Sequence, residues 1–289
     1  MALGFSRIAA ATGGQRRIGS NLLLGLLAFY IFLPIIAVLL YAIATRWTAT
    51  VLPDGYTLQY WARAFEDPRI FGAFVRSIAL GATTVAVDIL VVVPAAYWAR
   101  VRNRRIRVVA ELAAVIPFAL PWVSIAFGVL LLTGEFAPFA LGTPVLLVLV
   151  YAAVHFPFLY WAVDGAMIAG DVVRLNEAAE TCGATPIQTI HRVVLPNIAS
   201  GIASGGILVF ASSFGEFALA QMLAGGAYET LPLWSAEALR ATTGKFPELA
   251  VITFTTFLVL FILSAILVFG TGARTVRLFP GGLAAGDRR

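Results

Sequence analysis

The sequence predicts an all-α, polytopic membrane protein of six transmembrane helices with a short helical insert between the fourth and fifth. Three observations carry this. Of 289 residues, 60% are hydrophobic and 12% charged, against roughly 45–50% apolar and about 25% charged in soluble domains. Six segments are apolar over the roughly 20 residues that a helix needs to cross about 30 Å of hydrocarbon. The basic residues gather at alternate segment ends, as the positive-inside rule requires.

In order, the segments fall near 20–44, 74–97, 108–132, 143–165, 198–222 and 248–272. They form one six-span domain over 20–272, flanked by tails at 1–19 and 273–289 and interrupted by a polar insert at 171–196. The connections leave no room for a soluble catalytic domain of ordinary size. The pattern "AIA" at Ala42–Ala44 looks like a signal-cleavage site, but the apolar run before it is about twice a usual h-region. The first segment therefore reads as a retained span.

Fourteen of the 20 Lys and Arg residues lie on one side: Arg7, Arg16 and Arg17 before the first span, Arg100 to Arg107 after the second, Arg174 and Arg192 in the insert, and Arg274, Arg277, Arg288 and Arg289 at the end. Arg46, Arg63, Arg69, Arg76, Arg240 and Lys245 lie on the other. Both termini and the insert are thus expected in the cytoplasm. Topology accounts for these charges, and no nucleic-acid partner is expected. Cys182 is the single cysteine, which excludes an intrachain disulfide or a cysteine-built metal site.

In the insert, Val172, Leu175, Ala179 and Cys182 recur at helical spacing while Asp171, Arg174, Glu177 and Thr181 follow the opposite face. Asp171 is expected to cap this helix and Gly183 to end it in the left-handed conformation. A second short helix is expected from Thr185 as cap and Pro186 at the first position, with Ile187, Ile190 and Val194 on one side, until Pro196. Ala178 and Ala179 keep one face thin. The pattern fits two readings equally: a cover lying over span ends, or an element presenting Glu177, Glu180 and the alanine ridge to a cytoplasmic partner.

The spacing Glu177-Ala178-Ala179, three residues, Gly183, nine residues, Val193-x-Leu195-Pro196 resembles the EAA loop of permease subunits in binding-protein-dependent ABC importers, where Ile is usual at the position of Val193. The resemblance covers roughly residues 56–275 and implies the type I importer permease fold in a bacterial or archaeal inner membrane. It also implies that 171–183 is a coupling helix docked on an ATPase through Arg174, Glu177, Ala178, Ala179, Glu180, Gly183, Leu195 and Pro196. The implied partners are a second homologous permease, two cytoplasmic ATPase subunits that bind ATP and Mg, and an external solute-binding protein, all assembled in the lipid bilayer. The stretch containing Arg76-Ser77, where Asn-Ser is usual, resembles the entry to the permease core. "SSFGEFALAQMLAGG" with "ETLPLW" resembles the polyamine, phosphonate, ferric-ion, sulfate and molybdate group, and most of all the spermidine/putrescine type.

Ionisable residues inside spans mark a cavity, a partner or a role. Asp88 fits equally a solute passage or a structural contact. Glu216 reads first as a hydrogen-bond partner for a neighbouring helix and second as a passage residue. Asp164 reads as a solvated boundary residue, and His155 as a partner for the carbonyl freed by Pro157. Pro94, Pro117, Pro121, Pro144 and Pro157 are expected to bend the spans. Trp47, Tyr60, Trp61, Trp98 and Trp234 are expected at the membrane interface.

No phosphate-binding glycine loop, His-Glu-x-x-His helix or paired aspartates for magnesium occur. No catalytic, cofactor or metal site is expected, and ATP hydrolysis falls to partners. An ion-coupled carrier using Asp88, His155 and Glu216 is a rival reading, but the internal repeats common in such carriers are not visible. An intramembrane enzyme would need a catalytic constellation the sequence lacks. The solute expected is polyamine-like or a related small polar solute, the alternatives being a phosphonate, ferric ion or an oxyanion.

Overall fold

The computed structural model describes residues 3–47, 50–240 and 246–270. Lys245 and the tail at 273–289, with its four arginines, lie outside the described residues. Among the described residues five helices are long and apolar enough to cross a membrane, and a pair of helices bent by 100° makes six if the pair is one span. The chain divides into two compact units.

The first unit is Met1–Glu66 with Ala241–Phe257. It holds α1 (Leu3–Ile43), a short antiparallel ladder of β1 (Ala44–Arg46) and β2 (Gly55–Tyr56), α2 (Gln59–Glu66) and the opening turns of the last helix, Phe246–Gly270. Helix α1 starts at Leu3, so the expected N-terminal tail is largely helical. Within Ser20–Ile43 its most apolar 18-residue window holds no buried residue, and burial begins only near the end of the helix, at Ala42. A helix apolar on every side needs lipid or another membrane subunit around it. Trp61 meets Phe254 edge-on, with ring centroids 6.1 Å apart.

The second unit begins with α3 (Pro68–Val101), whose cap Asp67 accepts the Arg69 amide at 2.8 Å, with Pro68 at the first position. Asn103 caps α4 (Arg104–Ala119) in the same way. The expected third span is two helices, α4 and α5 (Trp122–Phe136), rather than one. Leu120 precedes Pro121 and is extended, as the proline ring requires of its predecessor. Pro121 also has no N–H for the carbonyl of Pro117; the Trp122 indole Nε1–H supplies that bond instead, at 3.0 Å. The break is thereby satisfied.

Helix α6 (Pro144–Ala169) opens at Pro144, with Thr143 as cap. Pro144 therefore starts a helix instead of bending one. Then follow α7 (Val172–Thr181), α8 (Pro186–Thr189), a π-turn over Ile190–Val194, and α9 (Leu195–Phe214). Helix α9 lies very close to α6. A Cβ on Gly201 would sit 2.5 Å from Ala166 Cβ and 2.7 Å from the Ala162 carbonyl, and one on Gly205 would sit 2.9 Å from Leu159 Cα. Small residues four apart let two membrane helices gain dispersion contact along their backbones.

The fifth span ends at Phe214, short of the expected 222, because the chain breaks at Gly215–Phe217 before α10 (Ala218–Leu223). A 3-10 turn over Gly225–Tyr228 and α11 (Leu231–Arg240) follow, and the Phe246–Gly270 helix is α12. Arg76 and Ser77 grip the segment between α10 and α11. Ser77 Oγ accepts the Leu231 amide at 2.8 Å, and Arg76 Nε donates to the Glu229 carbonyl at 2.5 Å. Trp234, expected at an interface, is instead fully buried.

One apolar core packs Val92, Tyr97, Leu159, Val163, Val172 and Ile198 at the α7 end. A second packs Leu80, Leu147, Tyr151 and Leu219 at the α10 end.

Candidate functional site

The site is α7 and its attachments. Gly170 closes α6, and the chain reverses through Asp171, the one non-glycine residue with positive φ (46°) among the described residues. Aspartate tolerates this conformation better than most residues. The expected side-chain cap is not made: the Asp171 carboxylate turns outward to Arg174, Oδ2 to Nε 3.2 Å. The tight reversal, not a cap, starts the helix.

The face that α7 turns inward carries Val172 and Asn176, both buried, with Leu175 and Ala179 half-buried; Cys182, expected on this face, is exposed. Asn176 is the residue sequence reasoning missed. Its Oδ1 accepts the Tyr97 hydroxyl of α3 at 2.6 Å. The only signal was its place four residues after Val172, on the apolar stripe. Arg102, just past α3, pairs with Glu180 at 2.8 Å. Helix α7 is therefore held to α3 by a buried hydrogen bond and a surface ion pair.

The outward face presents Arg174, Glu177 and Ala178, all exposed. Of Glu177 the backbone alone is engaged, its carbonyl accepting the Thr181 hydroxyl. Gly183 is left-handed at φ 79°, as expected. Thr185 and Gln188 form a capping box, each side chain bonding the other's backbone amide. The second short helix does not end at Pro196: Leu195 donates across five residues to Ile190, and the chain runs straight into α9. The wider π-turn accommodates a proline that would clash in an α-turn. Leu195 is half-buried and Pro196 exposed in the first turn of α9. The structure thus exposes Arg174, Glu177, Ala178, Glu180 and Gly183, turns Ala179, expected on the docking ridge, half-buried toward the inner face, and sets Leu195 and Pro196 at the root of α9.

Deeper in the second unit, Asp164 is not a solvated boundary residue. It is partly buried and bonded by Arg100, Nε to Oδ1 2.6 Å. His155 does not use the carbonyl freed by Pro157; its Nδ1 bonds Ser213 Oγ of α9 at 2.9 Å, and its ring lies against Trp122 and Tyr151. Glu216 is buried and accepts the Leu219 amide at 2.9 Å, anchoring the start of α10. Asp88 is buried in α3 beside a cavity that includes Phe156 and Tyr160. Asp88 and Glu216 do not come together with α7. Among the described residues no three His, Cys, Asp or Glu side chains gather to hold a metal ion.

Residues 91–276 match the family described as "Binding-protein-dependent transport system inner membrane component". The molybdenum transport system permease protein ModB of Mycobacterium tuberculosis is 32% identical over 75% of this chain and 84% of its own length. The putrescine transport system permease protein PotI of Escherichia coli is 27% identical over 76% and 79%. A crystal structure of a bacterial ABC transporter that imports alginate aligns with a TM-score of 0.65 at 18% identity, covering 88% of this chain and 96% of that one, which shows the shared fold. With α4 to α12 inside the matched region, and α3 overlapping it, this chain belongs to the inner-membrane permease family of binding-protein-dependent ABC transport systems.

Proposed function

We propose that α7 is the coupling helix of an ATP-driven importer and docks in a groove of a cytoplasmic ATPase subunit. One observation carries this reading: α7 is fixed to α3 on its inner face and presents Glu177, Ala178 and Arg174 on its outer face, with the Glu177 carboxylate bonded to nothing among the described residues. Closure of two ATPase subunits on ATP and Mg would draw the coupling helices together and swing the spans from inward-facing to outward-facing. The chain itself carries no catalytic group in this scheme and moves with the work done by its partners.

The arginine distribution supports cytoplasmic termini and a cytoplasmic α7. The unburied α1 supports a second homologous permease as the other half of the path. An external solute-binding protein delivers the cargo. For the solute we favour a polyamine-like cation, for which a buried carboxylate at Asp88 is an attractive counter-charge in a water-poor site. Glu216 is the weaker pathway candidate, since its carboxylate already holds α10. A phosphonate, ferric ion or oxyanion is the competing cargo, as one relative is named for molybdenum.

The coupling reading is tested by copurification. Wild type should retain an ATPase subunit and Glu177→Arg should release it while the permease stays folded. Retention by the variant refutes the docking role. Stimulation of the reconstituted complex's ATPase by polyamines, rather than by phosphonates, ferric ion or molybdate, tests the solute.

A further inference from the structure

Two helical segments of the second unit are broken, and α6 stands beside both breaks. The first break parts α4 from α5 at Leu120–Pro121, and the second parts α9 from α10 at Gly215–Phe217. The limbs beyond the breaks pack on each other: Ala126 of α5 shares one core with Leu219 and Leu223 of α10 and with Tyr151 of α6.

His155 of α6 reaches both breaks. It is fully buried, and its Nδ1 bonds Ser213 Oγ, in the last turn of α9 before the second break, at 2.9 Å. Its ring meets Trp122, the first residue of α5 after the first break, with centroids 5.2 Å apart at 66°. About one turn to either side along α6, the Tyr151 hydroxyl donates to the Glu216 carbonyl inside the second break at 3.3 Å. On the other side Phe158 meets Phe118 of α4, ahead of the first break, edge-on at 5.4 Å. Tyr151, His155 and Phe158 follow one another at helical spacing along α6, so the limbs on the two sides of the first break rest on different rungs of one ladder.

The His155 Nε2 has no hydrogen-bond partner among the described residues. Ser213 is therefore the one polar contact that orients the imidazole, and the ring edges around it do the rest. A shift of Ser213 turns the ring, and in a close-packed interior the ring displaces what it touches. What it touches is Trp122, whose indole already holds the Pro117 carbonyl across the first break.

We propose that His155 couples the two breaks, so that α5 and α10 swing together as one limb when the permease changes conformation. The inference requires neither the docking of α7 nor a particular solute. Its test uses neither, so its failure and a failure of those readings are told apart.

The full-length chain carrying Cys182→Ser is placed in phosphatidylcholine nanodiscs and spin-labelled through pairs of cysteines at exposed positions. Leu112 with Leu131 spans the first break, and Ala199 with Gln221 spans the second. Pulsed electron paramagnetic resonance reads the distribution of distances in each pair. Ser213→Ala should broaden or shift the first pair's distribution as well as the second's, and Trp122→Leu should likewise disturb the second pair's. In a His155→Leu background both cross effects should be lost. His155→Phe, which keeps a ring against Trp122 and lacks the bond to Ser213, should abolish the effect of Ser213→Ala on the first pair and keeps the test open if His155→Leu does not fold. Thermal unfolding confirms the fold of each variant. A first pair unmoved by Ser213→Ala in the folded chain overturns the coupling. So does a cross effect that persists in either His155 background, which would assign it to the packing of α5 on α10 instead.

Discussion

Replacing Tyr97 by Phe removes one oxygen from the interface between α3 and α7 and leaves the ring, and thus the apolar packing, in place. The hydroxyl is the donor to Asn176 Oδ1 at 2.6 Å, and both residues are 3% exposed. Without it a buried amide oxygen has no donor, which costs about 1–3 kcal/mol. The other tie, Arg102 to Glu180, joins side chains 39% and 41% exposed, and a surface pair of that kind contributes about 0–1 kcal/mol. Burial of Val172 adds about 1.5–3 kcal/mol. The hydroxyl is therefore a large share of what holds α7, and its loss should raise the detached population about 5- to 150-fold. Hydrogen exchange on the chain in nanodiscs should show amides of Val172–Thr181 exchanging faster by a factor in that range, with α6 and α9 unchanged. Asn176→Ala should match it, and the double variant should be no worse than either single one. Unchanged exchange in α7, or the same acceleration through every helix, would refute the latch.

Three further outcomes follow from the packing. Gly201→Val places a side chain 2.5 Å from Ala166 Cβ and should cost about 1–3 kcal/mol by overpacking, seen as a lower unfolding temperature that Ala166→Gly partly restores. Arg100 and Asp164 side chains are 12% and 15% exposed, so Arg100→Met alone should destabilise by about 3 kcal/mol through the stranded carboxylate; the double variant with Asp164→Leu should be milder, and a double variant as unstable as the sum of the singles would contradict this. Trp122→Phe leaves the Pro117 carbonyl without its indole donor and should cost about 1 kcal/mol in denaturant titration, while the bend set by Pro121 persists in the spacing of probes on α4 and α5.

What the sequence revealed was what is local. Gly183 and the Thr185–Pro186 helix start were legible because each satisfies its own neighbours within a few residues. Asp171 was misread for the opposite reason: a cap is a local motif, but its conformation is imposed by the reversal from α6 into α7. "IPFALPW" announced a bend and neither its 100° nor the Trp122 indole that satisfies the Pro117 carbonyl at the break. Asn176 drew no reading because its partner is 79 positions away. Asp164 and His155 were misassigned likewise, their partners Arg100 and Ser213 lying on other helices. Pro196 stops an ordinary α-turn and does not stop a π-turn, and nothing in the nearby residues says which forms.

The attachments of α7 differ in stiffness, and the difference decides where a push on it goes. Toward α6 the link is the single left-handed residue Asp171, and toward α9 it is the Gly183 turn, a capping box and a widened π-turn. Both permit rotation of backbone angles at low cost. Toward α3 the link is side chain to side chain, with Tyr97 and Val172 sharing one close-packed core, and packed cores shift between arrangements instead of stretching. The same core holds Leu159 and Val163 of α6 and Ile198 of α9; the Tyr97 hydrogen bond is what α3 adds to it, and α3 is a helix of 34 residues and so about 50 Å long. Near its other end Arg76 and Ser77 hold the segment from Glu229 to Leu231. One helix therefore touches both the ridge that carries Glu177 and the loop that leads into α11.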